Sequence, residues 1–447
     1  MNKKICIIGA GPSGISAMYS FLEKKNDGIN IPEITCYEKQ SDIGGLWNFS
    51  WQTGTDKNGE QNHCSMYRHL WSNGPKECLE FSNYTFDAHF KKSIPSFPPR
   101  EVLKDYIFGR IKNTEINEWI QFNNVVKYCE FDEYLKKFKV LVTDFNKKCN
   151  NYKYFDYVIC CNGHFSTPNI PLWDGMNSFP GRILHSHDFR NAEEMKGLDI
   201  LIIGTSYSAE DIASQCYKYG VNSVKLSWRT KQMNFKWPEN FETLPLLKKI
   251  ENNICYFING EKRKIDVIIL CTGYIHSFPF LSDELKLITN NRLYPNMLFD
   301  GIVFYKNPQL FFIGMQDQWF TFNMFDAQAW YIRDIILGYK KIPDKETMRN
   351  NIIQWQKIED DLDGTDNASI KFQAEYLKYI LEQSNLTRFN IDGVVNCFLE
   401  WEENKHKNIM TFRDKSHVSL ITKTKGTIHS KPWLKEYDDS IKNFCKL

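Results

Sequence analysis

Three glycines near the N-terminus have the spacing of a phosphate-binding turn. The motif Gly9-x-Gly11-x-x-Gly14 follows an apolar run at residues 5–8, and a helical pattern follows at residues 15–22. In such a turn the first glycine allows the tight bend, the second lets the backbone approach a pyrophosphate, and the third lets helix and strand pack closely. The start of the helix adds free N–H groups and the positive end of its dipole. The motif therefore predicts a bound dinucleotide.

An acidic residue stands where this prediction needs one. A second apolar run at residues 34–37 ends at Glu38, where a carboxylate can accept hydrogen bonds from a ribose diol. The glycine pair Gly44-Gly45, followed by Trp47, suits close approach to the same cofactor. A plain turn with Trp47 in the core is the alternative interpretation of that segment.

A second unit of the same kind lies in the middle of the chain. An apolar run at residues 199–203 leads into Gly204-Thr205-Ser206-Tyr207-Ser208-Ala209, which a helical pattern follows. Serine and alanine replace the second and third glycines of the consensus. Small residues still allow close approach, and serine hydroxyls can donate to phosphate. The context of strand, turn and helix predicts a second dinucleotide site.

The residue after the next strand indicates which dinucleotide binds there. The strand predicted at residues 223–227 is followed by Arg229, with no acidic residue at its end. An acid would hold a ribose 2′-hydroxyl, whereas an arginine accommodates a 2′-phosphate. Arg229 therefore favours NADPH over NADH. A solvated residue at a strand end is the alternative.

Two further residues are candidates for contact with reacting atoms. Asn73 carries an uncharged amide that can donate to an oxygen without releasing an acidic proton. Asparagine is also common in turns such as Ser72-Asn73-Gly74-Pro75, and the residue types alone favour that interpretation. Tyr207 lies within the second glycine turn, where its ring could face a nicotinamide, gate a pocket or only pack on the turn.

The two units imply the fold class. With 447 residues the chain is too long for one ordinary core. Two strand–turn–helix–strand units predict an α/β protein with two Rossmann-like dinucleotide-binding domains, the second inserted into the first. We expect segments at 1–170 (first domain, first part), 171–276 (NADP domain) and 277–447 (first domain, second part, with a helical C-terminal region).

Composition and charge narrow the function classes. A net charge of +2 without long single-sign blocks argues against nucleic acid as a partner. The 13 cysteines are scattered, with no C-x-x-C pair and no metal-ligand spacing, so we expect no metal site and a reducing compartment. No signal peptide, membrane span or C-terminal anchor is expected, which predicts a cytoplasmic protein without membrane contact.

Motifs between and beyond the two turns carry a family resemblance. Residues 179–190 (FPGRILHSHDFR) match the identifying motif of flavin-containing monooxygenases, and residues 270–274 (LCTGY) resemble the second hallmark, with Cys271 where alanine is usual. The chain resembles that family over nearly its whole length. The resemblance implies FAD in the first site and NADPH in the second. It also implies transfer of one oxygen atom from O2 through a C4a-hydroperoxyflavin.

The resemblance also assigns candidate residues. It implies a catalytic role for Asn73, which would also contact cofactor, and it makes Tyr207 and Asp317 candidates for the same role, although Asp317 could equally be a structural hydrogen bonder. Positions that resemble the FAD contacts of the family are Ser13, Gln40, Leu46, His63, Val126, Gln318 and Thr321. Positions that resemble NADP contacts are Trp71, Ser206, Ser208, Thr230 and Arg413.

A narrower likeness concerns the substrate. Residues 66–77 (MYRHLWSNGPKE), 314–319 (GMQDQW) and 323–330 (NMFDAQAW) resemble the bacterial members that convert trimethylamine to trimethylamine N-oxide. Other small amines or sulfides, and a homodimer, follow from the same likeness. A Baeyer–Villiger or sulfide monooxygenase and a non-catalytic flavin redox sensor are the alternatives. A flavin disulfide reductase lacks its cysteine pair here.

Overall fold

The computed structural model of the protein describes residues 3–384, 386 and 389–446. The ends of the predicted first and third segments, residues 1–2 and 447, lie outside the described residues. The strands are β1 (Lys4–Ile8), β2 (Glu33–Glu38), β3 (Ile120–Phe122), β4 (Asn124–Asp132), β5 (Lys137–Asp144), β6 (Cys149–Phe155), β7 (Tyr157–Cys160), β8 (Arg182–His185), β9 (Asp199–Ile203), β10 (Ser223–Ser227), β11 (Phe241–Leu244), β12 (Leu247–Glu251), β13 (Ile254–Phe257), β14 (Lys262–Lys264), β15 (Val267–Leu270), β16 (Leu298–Phe299), β17 (Val303–Phe304) and β18 (Leu310–Phe312). The helices are α1 (Pro12–Asn26), α2 (Phe86–Phe90), α3 (Arg100–Gly109), α4 (Ile116–Trp119), α5 (Tyr207–Lys218), α6 (Phe322–Ile336), α7 (Lys345–Asp360), α8 (Asp366–Gln383), α9 (Ile391–Lys407) and α10 (Ile441–Cys445).

The first glycine turn belongs to a seven-stranded sheet. Its strand order is β16-β17-β18-β7-β1-β2-β3, so segments from both ends of the chain share it. Strands β18, β7, β1, β2 and β3 pair in parallel, which brings their carboxyl ends to one edge. Ligands bind at this edge in open parallel sheets, because the turns that leave it can approach the ligand.

The second glycine turn belongs to a separate five-stranded sheet. All of its strands are parallel, in the order β11-β10-β9-β15-β8, and all lie between residues 182 and 270 of the chain. Two small antiparallel sheets, β4-β5-β6 and β12-β13-β14, flank the parallel ones. The predicted α/β fold with two Rossmann-like units is therefore confirmed.

Both glycine-turn helices begin earlier than the sequence pattern indicates. Helix α1 starts at Pro12 rather than Ile15, because proline at the first helical position has a preset φ and no N–H to lose. Helix α5 starts at Tyr207 rather than Glu210. Tyr207 is therefore the first residue of helix α5 and does not belong to the turn that precedes it.

A buried ion pair ties the helices around the first sheet together. Asp326 on α6 accepts hydrogen bonds from both terminal nitrogens of Arg110, at 2.8 and 2.9 Å. Arg110 also donates to the Ser16 hydroxyl of α1 at 3.2 Å. These contacts join α1 and α6 to the segment after α3, which fixes the frame around the glycine turn. Within the described ranges, no helix has the length and apolar character needed to cross a bilayer.

The packing of α1 against β1 makes a prediction about Gly14. A Cβ at Gly14 would collide with the carbonyl oxygen of Gly9, so Gly14→Ala must displace the helix start. We expect a loss of about 1–3 kcal/mol in the free energy of unfolding, together with loss of the expected flavin on purification. Denaturant unfolding and the visible absorbance of the purified protein measure the two effects.

Gly28→Ala is the matched control. Gly28 also needs an unusual backbone, with φ at +79°, but a Cβ there would meet no atom within 4 Å. This variant should lose roughly 1–2 kcal/mol through backbone strain and keep its flavin. Equal flavin retention in both variants would contradict the packing role of Gly14.

Candidate functional site

A cavity of about 730 Å³ opens at the carboxyl edge of the seven-stranded sheet. It extends from the first glycine turn past the Asn73 loop to the start of α5 and to side chains of α9. The structure brings to its walls the catalytic candidates Asn73 and Tyr207 and most of the residues expected to hold the first cofactor: Gly9, Gly11, Ser13, Glu38, Gln40, Leu46, Trp47, His63, Val126, Gln318 and Thr321. A volume of this size suits a large ligand.

The glycine turn leaves the space that a pyrophosphate requires. Gly9 has φ at +103°, and a Cβ there would lie 2.6 Å from the carbonyl oxygen of Cys161. A Cβ at Gly11 would meet only Gly45, at 3.5 Å, so the face of this turn is open. No side chain caps α1, so the N–H groups of its first turn are left for an anion.

Glu38 is held in one orientation beside this turn. Its two carboxylate oxygens accept the backbone N–H groups of Ala10 at 2.7 Å and of Gln40 at 2.9 Å. Burial raises the pKa of this carboxyl above its usual value, while the two hydrogen bonds act in the opposite direction. Each oxygen keeps a further lone pair, which a ribose hydroxyl can use.

The amide of Asn73 has a defined orientation. Its Oδ1 accepts a hydrogen bond at 3.3 Å from Nη2 of Arg413. Because a guanidinium can only donate, the amide oxygen must face Arg413 and the amide N–H groups face the other way. Asn73 lines the large cavity, so its donors are available to a ligand there.

Aromatic rings form the wall of the cavity beyond Asn73. Tyr207 lies 5.6 Å from Trp319 and 6.0 Å from Trp401, measured between ring centres. Phe398 packs 6.2 Å from Trp319. These rings come from three separate segments of the chain and give this end of the cavity an apolar, polarizable surface.

A buried lysine lies behind this aromatic wall. Lys405 is 4.8 Å from the ring centre of Tyr207 and 4.7 Å from that of Trp401. Its ammonium pairs with Glu210 at 2.9 Å and Glu402 at 3.0 Å. Because both carboxylates pair with the ammonium, the cluster behind the wall contains no unpaired buried cation.

The second glycine turn repeats the backbone geometry of the first. Gly204 has φ at +128°, and a Cβ there would collide with the carbonyl oxygen of Cys271. Its N–H donates to the carbonyl of Ser227 at 3.0 Å, which joins this turn to the end of β10. Ser206, Arg229 and Thr230 are exposed at this edge, outside the large cavity. Ser208 is half-buried and also lies outside it.

Four other candidate residues lie away from the large cavity. Trp71 is 2% exposed and packs 5.3 Å from Phe444, so its ring is part of the core. Asp317 is exposed, and its N–H donates to the carbonyl of Arg292 at 2.6 Å. Gly14 acts in helix packing. Arg413 lines only a small side pocket next to Asn73.

The sequence interpretation missed the side chains of α9. Phe398 and Trp401 are three residues apart on this helix and reach the large cavity. Aromatic residues at that spacing are more typical of a core face, so the sequence carries no signal that separates them from core residues. Asp211, which pairs with Arg413, was also missed, because the two residues are 202 positions apart in the chain.

The family motif at residues 179–190 has a structural role. Arg190 is buried and donates to the carbonyls of Gln52 and Cys64, both at 2.9 Å. The Phe189 ring lies 5.2 Å from Tyr67. The motif therefore joins the five-stranded sheet to the segment that leads to Asn73.

Comparisons with known proteins agree with this geometry. A family sequence model described as flavin-binding monooxygenase-like matches residues 2–235 and 242–395. The trimethylamine monooxygenase of Methylocella silvestris is 50% identical over 441 residues, which cover 99% of this chain and 98% of that protein. That of Roseovarius nubinhibens is 48% identical and covers 100% of both chains. The crystal structure of Tmm from Pelagibacter sp. strain HTCC7211 has a TM-score of 0.96 at 47% identity, covering 99% of this chain and 100% of that one.

A buried histidine in the cavity wall predicts a pH dependence of stability. His164 is 4% exposed and stacks on His276 at 4.6 Å, and burial lowers its pKa to about 3. The folded protein keeps this ring neutral, whereas the unfolded chain takes up a proton below about pH 6.5. Stability should therefore fall as the pH falls from about 6.5 towards 3.

The variant His164→Gln measures this contribution. It should reduce the pH slope of the unfolding free energy by up to roughly 1.4 kcal/mol per pH unit in that window. Urea unfolding at several pH values checks the slope, and the exposed His406→Gln is the control that should leave it unchanged. An unchanged slope in His164→Gln would show that this ring is protonated in the folded state.

Proposed function

Because the chain belongs to the flavin-binding monooxygenase-like family, we propose that it uses FAD, NADPH and O2 to convert trimethylamine to trimethylamine N-oxide. The balanced reaction consumes the amine, NADPH, a proton and O2, and it yields the N-oxide, NADP⁺ and water. Full-length identity of about one half to trimethylamine monooxygenases supports this substrate. The structural observation that carries it is the oriented Asn73 amide beside an aromatic wall.

The first glycine turn and Glu38 fit FAD. A phosphate cradle together with a ribose-binding carboxylate fits a dinucleotide, whereas a flavin mononucleotide has neither a pyrophosphate nor a ribose ring. When bound, the flavin supplies hydride acceptance and activation of O2. The protein must then orient the reactants, exclude water and supply hydrogen-bond donors.

The second glycine turn fits NADPH. Gly204 allows the close approach, and Ser206 and Ser208 offer hydroxyls at the start of α5. Arg229 is exposed, two residues beyond the end of β10, at the distance along the chain where a 2′-phosphate is recognised. Tyr207 belongs to both regions, since it begins α5 and its ring lines the large cavity.

Asn73 is the residue we propose to act on reacting oxygen. Its N–H groups can donate to an oxygen atom and, unlike a carboxylic acid, they carry no proton that is easily lost. Arg413 fixes their direction by binding the amide oxygen. This arrangement stabilises developing negative charge on oxygen without protonating it.

The aromatic wall suits a small tertiary amine. Neutral trimethylamine has three methyl groups and no N–H donor, so it needs no polar partner other than the oxygen it receives. Rings from Tyr207, Trp319 and Trp401 can contact the methyl groups. Burial in such a site disfavours the protonated amine, which has no free lone pair to react. Other small amines and sulfides of similar shape are expected to react too.

The proposal is tested with the purified, FAD-loaded protein. NADPH absorbance is followed in air with and without trimethylamine, and N-oxide is quantified. Amine-stimulated NADPH consumption with a matching amount of N-oxide is expected. If NADPH is consumed without formation of N-oxide, but a small sulfide is converted to its sulfoxide, the substrate is a sulfide and not trimethylamine. No flavin reduction by NADPH would overturn the function.

Arg229 provides a prediction about coenzyme choice. Arg229→Gln should raise the KM for NADPH by roughly ten- to a hundredfold and leave that for NADH nearly unchanged, because a charged hydrogen bond contributes about 1.5–3 kcal/mol. Steady-state kinetics with both coenzymes measures this. The neighbouring exposed Lys231→Gln is the matched control and should change neither value.

Two further expectations are separate from the chemistry. A homodimer and a cytoplasmic location stay predictions from the sequence. Light scattering of the purified protein tests the first, and fractionation of the source cells tests the second.

A further inference from the structure

Asp211 is a buried acceptor where three parts of the chain meet. It lies on α5, four residues after Tyr207, and is 3% exposed. One carboxylate oxygen accepts from the Arg413 guanidinium, and the other accepts from the Tyr67 hydroxyl. The amide of Gln215, one helical turn further on, also donates to Asp211, at 3.3 Å.

Arg413 depends on this carboxylate. Its side chain is nearly inaccessible, and a buried guanidinium requires a partner of opposite charge. Besides Asp211, it donates at 3.3 Å to the carbonyl of Ser72 and at 3.3 Å to the amide oxygen of Asn73. Asp211 therefore sets where Arg413 lies, and Arg413 sets which end of the Asn73 amide faces the cavity.

The same helix holds the loop that carries Asn73 at further points. Gln215 donates to the carbonyl of His69 at 2.7 Å, and Tyr67 reaches Asp211 through its hydroxyl. Helix α5 begins at the second glycine turn, whereas Asn73 belongs to the segment that borders the first. A chain of direct contacts thus runs from the start of α5 to the amide of Asn73.

We propose that Asp211 is a positioning residue for the oxygenation reaction. Through Arg413 it turns the Asn73 amide oxygen away from the cavity and the amide N–H groups into it. It does so from the helix whose first turn forms the second dinucleotide site. The proposal rests on the role of Asn73 in the proposed function.

The first test is the near-isosteric Asp211→Asn, which removes the charge that holds Arg413. The fraction of consumed NADPH that appears as N-oxide should fall about tenfold or more, the size expected when an oriented donor to oxygen is lost, and hydrogen peroxide should rise to match. Tyr67→Phe is the control, since it removes one hydrogen bond to the same carboxylate and leaves Arg413 paired. In Tyr67→Phe the fraction of consumed NADPH that appears as N-oxide should fall by less than about twofold.

A double-mutant cycle separates positioning from general damage. In an Asn73→Ala background, Asp211→Asn should change the N-oxide yield by less than about twofold, because the group through which it acts is gone. Independent, multiplying effects of the two substitutions would overturn the proposal. So would an Asp211→Asn enzyme with wild-type N-oxide yield.

A second variant covers the case in which Asp211→Asn does not fold. The pair Asp211→Asn with Arg413→Met removes both charges and leaves no buried ion unpaired. It should lose N-oxide yield as Asp211→Asn does. The dissociation constant of NADP⁺, measured by flavin fluorescence, shows whether coenzyme binding has also changed. A folded double variant with full yield contradicts the proposal.

A readout without flavin chemistry completes the test. In a crystal structure of the cofactor-free Asp211→Asn variant, Arg413 should have left its 3.3 Å contact with Asn73. An unchanged contact would overturn the proposal. If the wild-type protein makes no N-oxide, the proposed function fails separately. The Asp211 proposal is then judged by this contact and by NADPH-driven peroxide release, which Asp211→Asn should raise only when Asn73 is present.

Discussion

Close approach of bare backbone at two glycine turns is the constraint on which this structure depends. Gly9 lies against the carbonyl of Cys161, and Gly204 lies against that of Cys271, each with a backbone conformation that other residues rarely adopt. A parallel sheet brings its strand ends to one edge, and a helix start can face a phosphate only if the intervening turn has no side chains in the way. Each of the two parallel sheets, with the helix that follows its glycine turn, meets this requirement.

The reacting end of the cavity depends on a different kind of interaction. Asn73 is oriented by Arg413, which is in turn held by Asp211, and all three are buried or half-buried. Buried charges must be paired, so the position of each group fixes the next. The aromatic wall is fixed in the same way, by Lys405 between two glutamates. Polar networks therefore hold both the donor and the apolar surface of the site.

Family membership agrees with the resemblance drawn from the motifs. The candidate residues fall into groups according to whether a local sequence pattern indicated their position. Gly9, Gly11 and Ser13 of the first glycine turn, with Glu38 at the following strand end, line the cavity. Trp71 and Asp317 lie outside the cavity. They were chosen because their sequence neighbourhood resembles the family, and such a resemblance does not indicate the direction in which a side chain points. Phe398 and Trp401 line it without any sequence signal, since an aromatic helix face is most often a core face.

The sequence by itself determined the two nucleotide-binding units, because glycine spacing, strand length and the residue at a strand end act within a few positions of each other. Only the tertiary structure decided how Asn73 is oriented. Its partner Arg413 is 340 positions away along the chain, and Asp211 is 202 positions from Arg413. Local propensity cannot encode contacts at such separations. They form when α5 packs against the Asn73 loop, because the charged side chains that become buried there must pair with each other.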